Sequence, residues 1–371
     1  MAVVAVLGAS NGGLTAAADL TLGGHTVRWW SRTPEPLAAV RAAGGITLVA
    51  DGGGRLVSPA LVTDDLSAAV TGADVIVAPL PATGHDDLAG RLAPLLTETQ
   101  VVLLAPGTLG AYALARDVAR AGGRLPLAFA ETATLPYLTR ASGPAEVRVA
   151  VRATNLPVGV FPASRSEAVL ARVKALYPAL RPCVDALDAA LANAGPVIHP
   201  PLVLLNAGAI DRGRFDVHVA GTTPTIRRLI DAVDAERVAA RAGWGYPAPH
   251  YELATYYEEA RAAEGFYGAG ARARVAESGI FDEALGFDHR YVTEDVVLGL
   301  ALFESAARTA GVDTPAISGL LQVFGVVLAR RLGGGGRALE RLGLGDFSLR
   351  EIRAVLREGW QSLDWARALR A

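Results

Sequence analysis

Val3-Val4-Ala5-Val6-Leu7-Gly8-Ala9-Ser10-Asn11-Gly12-Gly13 is the stretch on which the fold turns. Five apolar residues in a row read as a buried parallel strand. Residues 14–22 carry the apolar spacing of a helix. The turn between them matches G-x-G-x-x-G at Gly8 and Gly13, with Ser10 in the middle position and Asn11 and Gly12 completing the loop. In such a motif the first glycine makes the tight turn and the last lets the helix pack on the strand. The middle residue lets the backbone approach a pyrophosphate seated on the helix N-terminus. A glycine-rich motif alone is a weak signal, and a plain strand-to-helix turn is the competing reading. The strand before it and the helix after it supply the context that favours dinucleotide binding.

Outward from this point, apolar runs alternate with helical patterns. Strands are predicted at 3–7, 26–30, 75–78, 101–105 and 126–130, and helices at 14–22, 36–43, 86–96 and 111–120. That alternation predicts βαβ units and a doubly wound parallel sheet of the Rossmann type. Residues 47–50 and 55–58 flank Gly52-Gly53-Gly54 and read as a hairpin insertion, and 146–153 with 158–161 as an antiparallel pair extending the sheet. Beyond residue 185 the β-branched runs fade and helical patterns dominate, clearest at 225–242, 251–263, 293–310 and 315–332. The expected organisation is a dinucleotide-binding α/β domain over 1–186 and an all-α domain over 187–371.

Composition narrows the function. The chain has 371 residues, 51% hydrophobic and 19% charged, with a net charge of −2. This excludes a largely disordered chain and argues against a nucleic-acid or anionic-membrane binder. No apolar run reaches the ~20 residues of a bilayer span. Cys183 is the single cysteine and Lys174 the single lysine, so an intrachain disulfide, a thiolate zinc cluster and a Walker lysine are all missing. No histidine has metal-ligand spacing with another His or with Cys, and no metal is expected. The apolar start carries no basic stretch or cleavage pattern, and a cytoplasmic protein is expected. The Ala- and Leu-rich second half offers a face for a homodimer.

The end of the second predicted strand chooses the cofactor. An NAD site expects an acidic residue about 20 residues past the glycines. Here Ser31, Arg32 and Thr33 follow Trp30, with no carboxylate before Glu35. Ser31 and Arg32 suit a 2′-phosphate, so NADP(H) is favoured over NAD(H). In the second half, His199 stands in the apolar, proline-rich Val197-Ile198-His199-Pro200-Pro201-Leu202. Asp295 lies in Asp288-His289-Arg290-Tyr291-Val292-Thr293-Glu294-Asp295-Val296, where Thr293 reads as an N-cap and the acids suit a helix's first turn. The sharper reading pairs Asp295 with His199, the carboxylate fixing the imidazole tautomer for general acid/base work. Arg290 would offer a planar fork to a substrate carboxylate. Spacing alone does not bring these residues together.

These residues resemble the opine dehydrogenases, the octopine/nopaline dehydrogenase family. The resemblance is carried by Gly8 to Gly13, ETATLPY at 131–137, NAGPVIHPPLVLLNAG at 193–208, HRYVTEDVVLGL at 289–300, GVDTP at 311–315 and GRALERLGL at 336–344. Ser10 replaces the family's usual middle glycine, and Val297 stands where proline is common. The resemblance implies a Rossmann domain, an all-helical domain and a cleft between them. The implied reaction joins the amine of an amino acid to the carbonyl of an α-keto acid through an imine reduced by NAD(P)H. It assigns His199 and Asp295 to proton chemistry and Arg290 to the keto-acid carboxylate. In that frame Glu131 is expected to hold the substrate ammonium and Asn206 to orient His199 or the ligand. Pro79, Gly107 and Thr108 are expected to contact the cofactor. Tyr257 is assigned to the substrate, within the stretches around Trp244 and 251–257 that look individual to this chain. A cyclic-imine reductase, a ketopantoate reductase-like or β-hydroxy-acid dehydrogenase and a non-catalytic NADP sensor are the rival readings.

Overall fold

The computed structural model describes residues 1–50, 52–213, 215–281 and 284–370. The opening apolar run is β1 (Val3–Leu7), which hydrogen-bonds in parallel to β2 (Thr26–Trp30), Val3 facing Thr26 and Leu7 facing Trp30. Two strands set apart from them follow, β3 (Ile46–Ala50) and β4 (Gly53–Val57). β5 (Leu61–Thr63), β6 (Val75–Ala78), β7 (Val101–Leu104) and β8 (Ala128–Thr132) rejoin the first sheet. β9 (Tyr137–Gly143) and β10 (Glu146–Arg152) belong with β3 and β4, and β11 (Leu156–Phe161) and β12 (Leu180–Pro182) finish the first sheet. That sheet has eight strands in the order β12-β11-β8-β7-β6-β1-β2-β5, parallel throughout except where β11 runs against β8.

Two expectations are corrected. Residues 146–152 and 156–161 do not pair with each other: β10 pairs with β9, and β11 with β8. The 47–50/55–58 hairpin is not an isolated insertion either, because β3 also pairs in parallel with β10 to build a four-stranded sheet, β4-β3-β10-β9. This small sheet covers the helix Asn11–Leu22 on the side away from the large one, with Thr15 and Thr139 hydroxyls 2.8 Å apart. Hence Ala16, Ala17 and Ala18 are all buried, although they point in different directions around the helix.

After β12 every regular element among the described residues is helical. The fold is therefore a Rossmann-type α/β domain followed by an all-α domain. Alternate residues of the central strands feed two cores, as the strand pleat requires. Val4, Val6, Val75 and Val77 face one core. Ala5, Leu7, Ile76 and Ala78 face the other, which continues into Val197, Leu202, Tyr291 and Leu300 of the helical domain. The helical domain thus docks directly on one face of the sheet. The predicted helix 251–263 is broken into Ala254–Tyr257 and a 3₁₀ stretch, Glu259–Glu264, while 315–332 ends at Val327. The predicted helix 293–310 instead begins at Arg290, and His289, not Thr293, caps it by accepting from the Tyr291 amide. It then passes through one π-helical turn, Asp295–Leu300, before Ala301–Thr309. Among the described residues no helix is long and apolar enough to cross a membrane, and no group of three potential metal ligands forms.

Candidate active site

His199 projects from the helix Gly195–Leu205, and Asp295 from the first position of the π turn. His199 Nδ1 lies 2.6 Å from Asp295 Oδ2, although 96 residues separate them. The approach depends on Gly195, where a Cβ would stand 2.4 Å from Asp295 Oδ1. Tyr291 stacks on the imidazole, ring centroids 3.6 Å apart, and its hydroxyl is 2.9 Å from His218 Nε2. Burial pushes the Asp295 carboxyl up to about 7, against the pull of Arg290 and His289. Burial, with the charge of His199, lowers His218 to about 3 and keeps it neutral. Arg290, half exposed, sets Nη1 3.7 Å from Glu294 Oε2, and the other oxygen of Glu294 accepts the Ala82 amide at 2.8 Å.

The dinucleotide end is built from the opening motif. Gly8 has φ +107°, which L side chains rarely adopt, and a Cβ on Gly13 would sit 2.1 Å from the Gly8 carbonyl oxygen. Ser10 keeps the middle position serviceable. Its hydroxyl accepts from the Gly13 amide and donates to the Pro79 carbonyl, so it caps the helix and ties the loop to the end of β6. Asn11 Oδ1 accepts the Ala141 amide. Ser10, Asn11, Gly12 and Pro79 line one cavity of about 280 Å³ together with His199, Arg290 and Asp295. The glycine turn, the helix that opens from it and this shared cavity fit a dinucleotide. At the end of β2, Ser31 is buried with its hydroxyl accepting the Thr33 amide. The Arg32 guanidinium is exposed, 3.4 Å from Asp87.

Other expected residues sit elsewhere. Glu131 lies inside β8, not after it, is fully buried, and accepts the amides of Leu109 and Ala111 at 2.8 and 2.7 Å. It braces the 107–111 turn and does not reach the cavity. Gly107 packs on Glu131 and Thr108 is buried, while the preceding Ala105 and Pro106 line the cavity instead. Asn206 Nδ2 donates to the Leu202 and Gly221 carbonyls, closing its helix end outside the cavity. Tyr257 lies under the Arg227 guanidinium at 3.4 Å, and it is Tyr256 that lines the cavity. Trp244 is core, donating its indole N–H to Ala306 O. Lys174 is exposed at the end of the helix Ser166–Val173, away from the cleft.

Sequence reasoning missed several lining residues: Arg140, His218, Tyr291 and Phe281 among them. Tyr291 was within reach, as it sits inside the same short segment as Arg290 and Asp295. Arg140 was hidden because β9 reads as a polar stretch, and His218 has no distinguishing neighbours.

Residues 182–328 match the family described as NAD/NADP octopine/nopaline dehydrogenase, alpha-helical domain, and residues 4–132 match ketopantoate reductase PanE/ApbA. The chain is 29% identical over 355 residues to the opine dehydrogenase of Arthrobacter sp. (strain 1C), covering 95% of this chain and 98% of that protein. A solved octopine dehydrogenase in complex with NADH and agmatine superposes with a TM-score of 0.70 at 18% identity, over 95% of this chain and 97% of that one. Yersinopine dehydrogenase with NADP+ bound superposes at 0.64 with 15% identity, over 97% and 98%.

Proposed function

The chain belongs with the opine dehydrogenase-like, pyridine-nucleotide-dependent oxidoreductases, and from that premise we propose that it condenses an amino acid with an α-keto acid and reduces the product with NADPH. The amine nitrogen bonds to the keto carbon, the keto oxygen leaves as water, and the C=N bond gains a hydride and a proton. The product is an N-(carboxyalkyl)amino acid. The reduced nicotinamide, when bound, supplies the hydride, and Ser10, Asn11, Gly12 and Pro79 are the residues that would hold the cofactor.

The chain's own groups do the rest. His199, oriented by Asp295, takes the proton of the attacking ammonium and returns one to the departing hydroxyl. Arg290 presents a planar donor fork to the keto-acid carboxylate and fixes its carbonyl. Positioning of this kind is worth up to ~7–11 kcal/mol in well-oriented systems. The observation that carries the reading is the His199–Asp295 contact inside the cavity that also receives the glycine-rich helix N-terminus. The NADPH preference is supported by the missing carboxylate after Trp30 and by Arg32. An exposed pair such as Arg32–Asp87 is worth little, so a 2′-phosphate would displace Asp87 readily. Ketopantoate reductase-like chemistry through a lysine is disfavoured, because Lys174 is remote from the cleft.

The test follows oxidation of NADPH and of NADH at 340 nm with amino acids and keto acids, singly and together. Oxidation requiring both partners, faster with NADPH, is expected. His199→Ala should lower turnover by ~10²–10⁴-fold and leave NADPH binding intact. Oxidation with a keto acid alone overturns the condensation reading, and unchanged turnover in His199→Ala overturns the role of the histidine.

A further inference from the structure

The cavity that holds His199 is lined in part by five apolar and aromatic residues from one stretch of the helical domain: Leu253, Tyr256, Phe266, Tyr267 and Phe281. These rings are held in place. Phe266 stacks on Tyr251 with centroids 5.3 Å apart, Phe281 leans on His218 at 4.7 Å, and the Tyr267 hydroxyl is 3.0 Å from that of Thr134. A wall of fixed aromatic rings is a pre-formed apolar surface.

Charge points the same way. Among the described residues lining the cavity, the carboxylates are Glu252, Glu294 and Asp295. Glu294 and Asp295 are buried and already matched, and Glu252 is a partly exposed partner of Arg261, which Glu264 also pairs. Glu252 lies 2.6 Å from Arg261, Glu294 accepts the Ala82 amide at 2.8 Å, and Asp295 is 2.6 Å from His199. A guanidinium or ammonium side chain seated on these rings would lose its water and, among the described lining residues, would meet no buried carboxylate that is not already paired. Ring faces attract cations, but more weakly than a desolvated cation requires. The solved octopine dehydrogenase complex holds agmatine, a cationic amine, so the shared fold does not impose the choice. The wall does.

We propose that the amine partner is an α-amino acid with a bulky apolar or aromatic side chain, seated against Tyr256, Phe266 and Phe281, and that cationic amines are rejected. The proposal rests on the condensation reading and narrows it.

Two measurements test it on the full chain. In the first, NADPH oxidation with saturating pyruvate is compared for L-phenylalanine, L-leucine, L-arginine and agmatine. A kcat/KM for the apolar pair at least ~100-fold above the cationic pair is expected, within the range apolar pockets discriminate. Equal or better use of arginine or agmatine overturns the proposal and leaves the condensation reading standing. In the second, calorimetry measures phenylalanine and arginine binding to protein saturated with NADP+. If no amine and keto acid together support oxidation, the condensation reading fails, and this measurement still decides the subsite. Failure of phenylalanine to bind more tightly than arginine overturns the proposal. Tyr256→Glu, which adds an uncommitted carboxylate to the wall, should narrow the phenylalanine-to-arginine ratio at least ~10-fold. An unchanged ratio in a variant with native melting behaviour counts against the assignment.

Discussion

Glu131 and Asp295 are both buried carboxylates, and burial pushes each up to about 7, yet their partners give them different work. Asp295 meets an imidazole that opens onto the cavity; Glu131 meets two backbone amides and nothing else of the site. The consequence for Glu131 is a dependence of stability on pH. Its carboxyl is raised from 4.5 to about 7, so between those values the folded state holds a proton that the unfolded chain releases. The contribution is complete below pH 4.5 and is lost as pH rises through 7. The shift corresponds to about 3 kcal/mol at most. Melting temperatures of the native chain and Glu131→Gln, measured from pH 4.5 to 8, should show a downward slope that is shallower in the variant, which keeps the contributions of the other buried carboxyls, Asp185, Glu294 and Asp295. Parallel curves would mean that the carboxyl stays ionised across the range. The position of Glu131 in the sequence pointed to the substrate because a carboxylate at a strand end faces the crevice in many doubly wound sheets. A shift of two residues placed it inside the strand, where it caps the preceding helix, Gly110–Arg120.

Helices meet at the site through glycines. Gly195 on the His199 helix leaves room for Asp295, and Gly299 on the π turn leaves room for Pro196, where a Cβ would fall 2.2 Å from Cγ. The two contacts lie on the same pair of elements but carry different consequences. Gly195→Ala pushes the carboxylate off His199, so kcat should fall at least ~10-fold, as loss of an oriented acid/base group does. Gly299→Ala overpacks an apolar seam and should cost about 1–3 kcal/mol in the denaturant midpoint, with activity retained in the folded fraction. If both variants lose activity and stability in equal measure, the two contacts are not separable. At this scale the sequence was legible where one element decides its own shape. β1 and the glycine turn were read as they stand, and the helix 11–22 with only its start placed three residues late, because the apolar run and the motif are local signals. The π turn was not legible. Its extra residue per turn re-aims Asp295, and nothing in the local apolar spacing of 293–310 distinguishes it from ordinary helix.

On the scale of the molecule, the cleft depends on how the helical domain grips the loop after β6, and no local pattern announces contacts more than 200 residues apart in the chain. His199, Arg290 and Asp295 were identifiable as candidates, but their meeting was not, since the helix Gly195–Leu205 packs on the π turn 96 residues away in sequence, and docking of the helical domain on the sheet then sets them on the cavity that the dinucleotide loop also lines. Ala82 is the point of closure. Its amide donates to Glu294 at 2.8 Å, and its carbonyl accepts from Arg337 at 3.1 Å. Pro79, Leu80 and Pro81, just before it, line the cavity. One residue of the dinucleotide domain is thus held by an anion and a cation of the helical domain, all three buried. Breaking the cationic half leaves a buried carbonyl without its donor, a loss of about 1–3 kcal/mol. Arg337→Met preserves much of the side-chain volume and removes the donor. It should lower thermal stability by that amount and weaken NADPH binding, measured by fluorescence titration, by ~10-fold, since the loop that the cofactor would touch is no longer held from behind. A melting loss with unchanged NADPH affinity would mean that Arg337 only joins the domains. Weaker affinity in a variant of native stability would make the grip on Ala82 a determinant of cofactor binding itself, reaching the dinucleotide loop through the Ser10–Pro79 hydrogen bond.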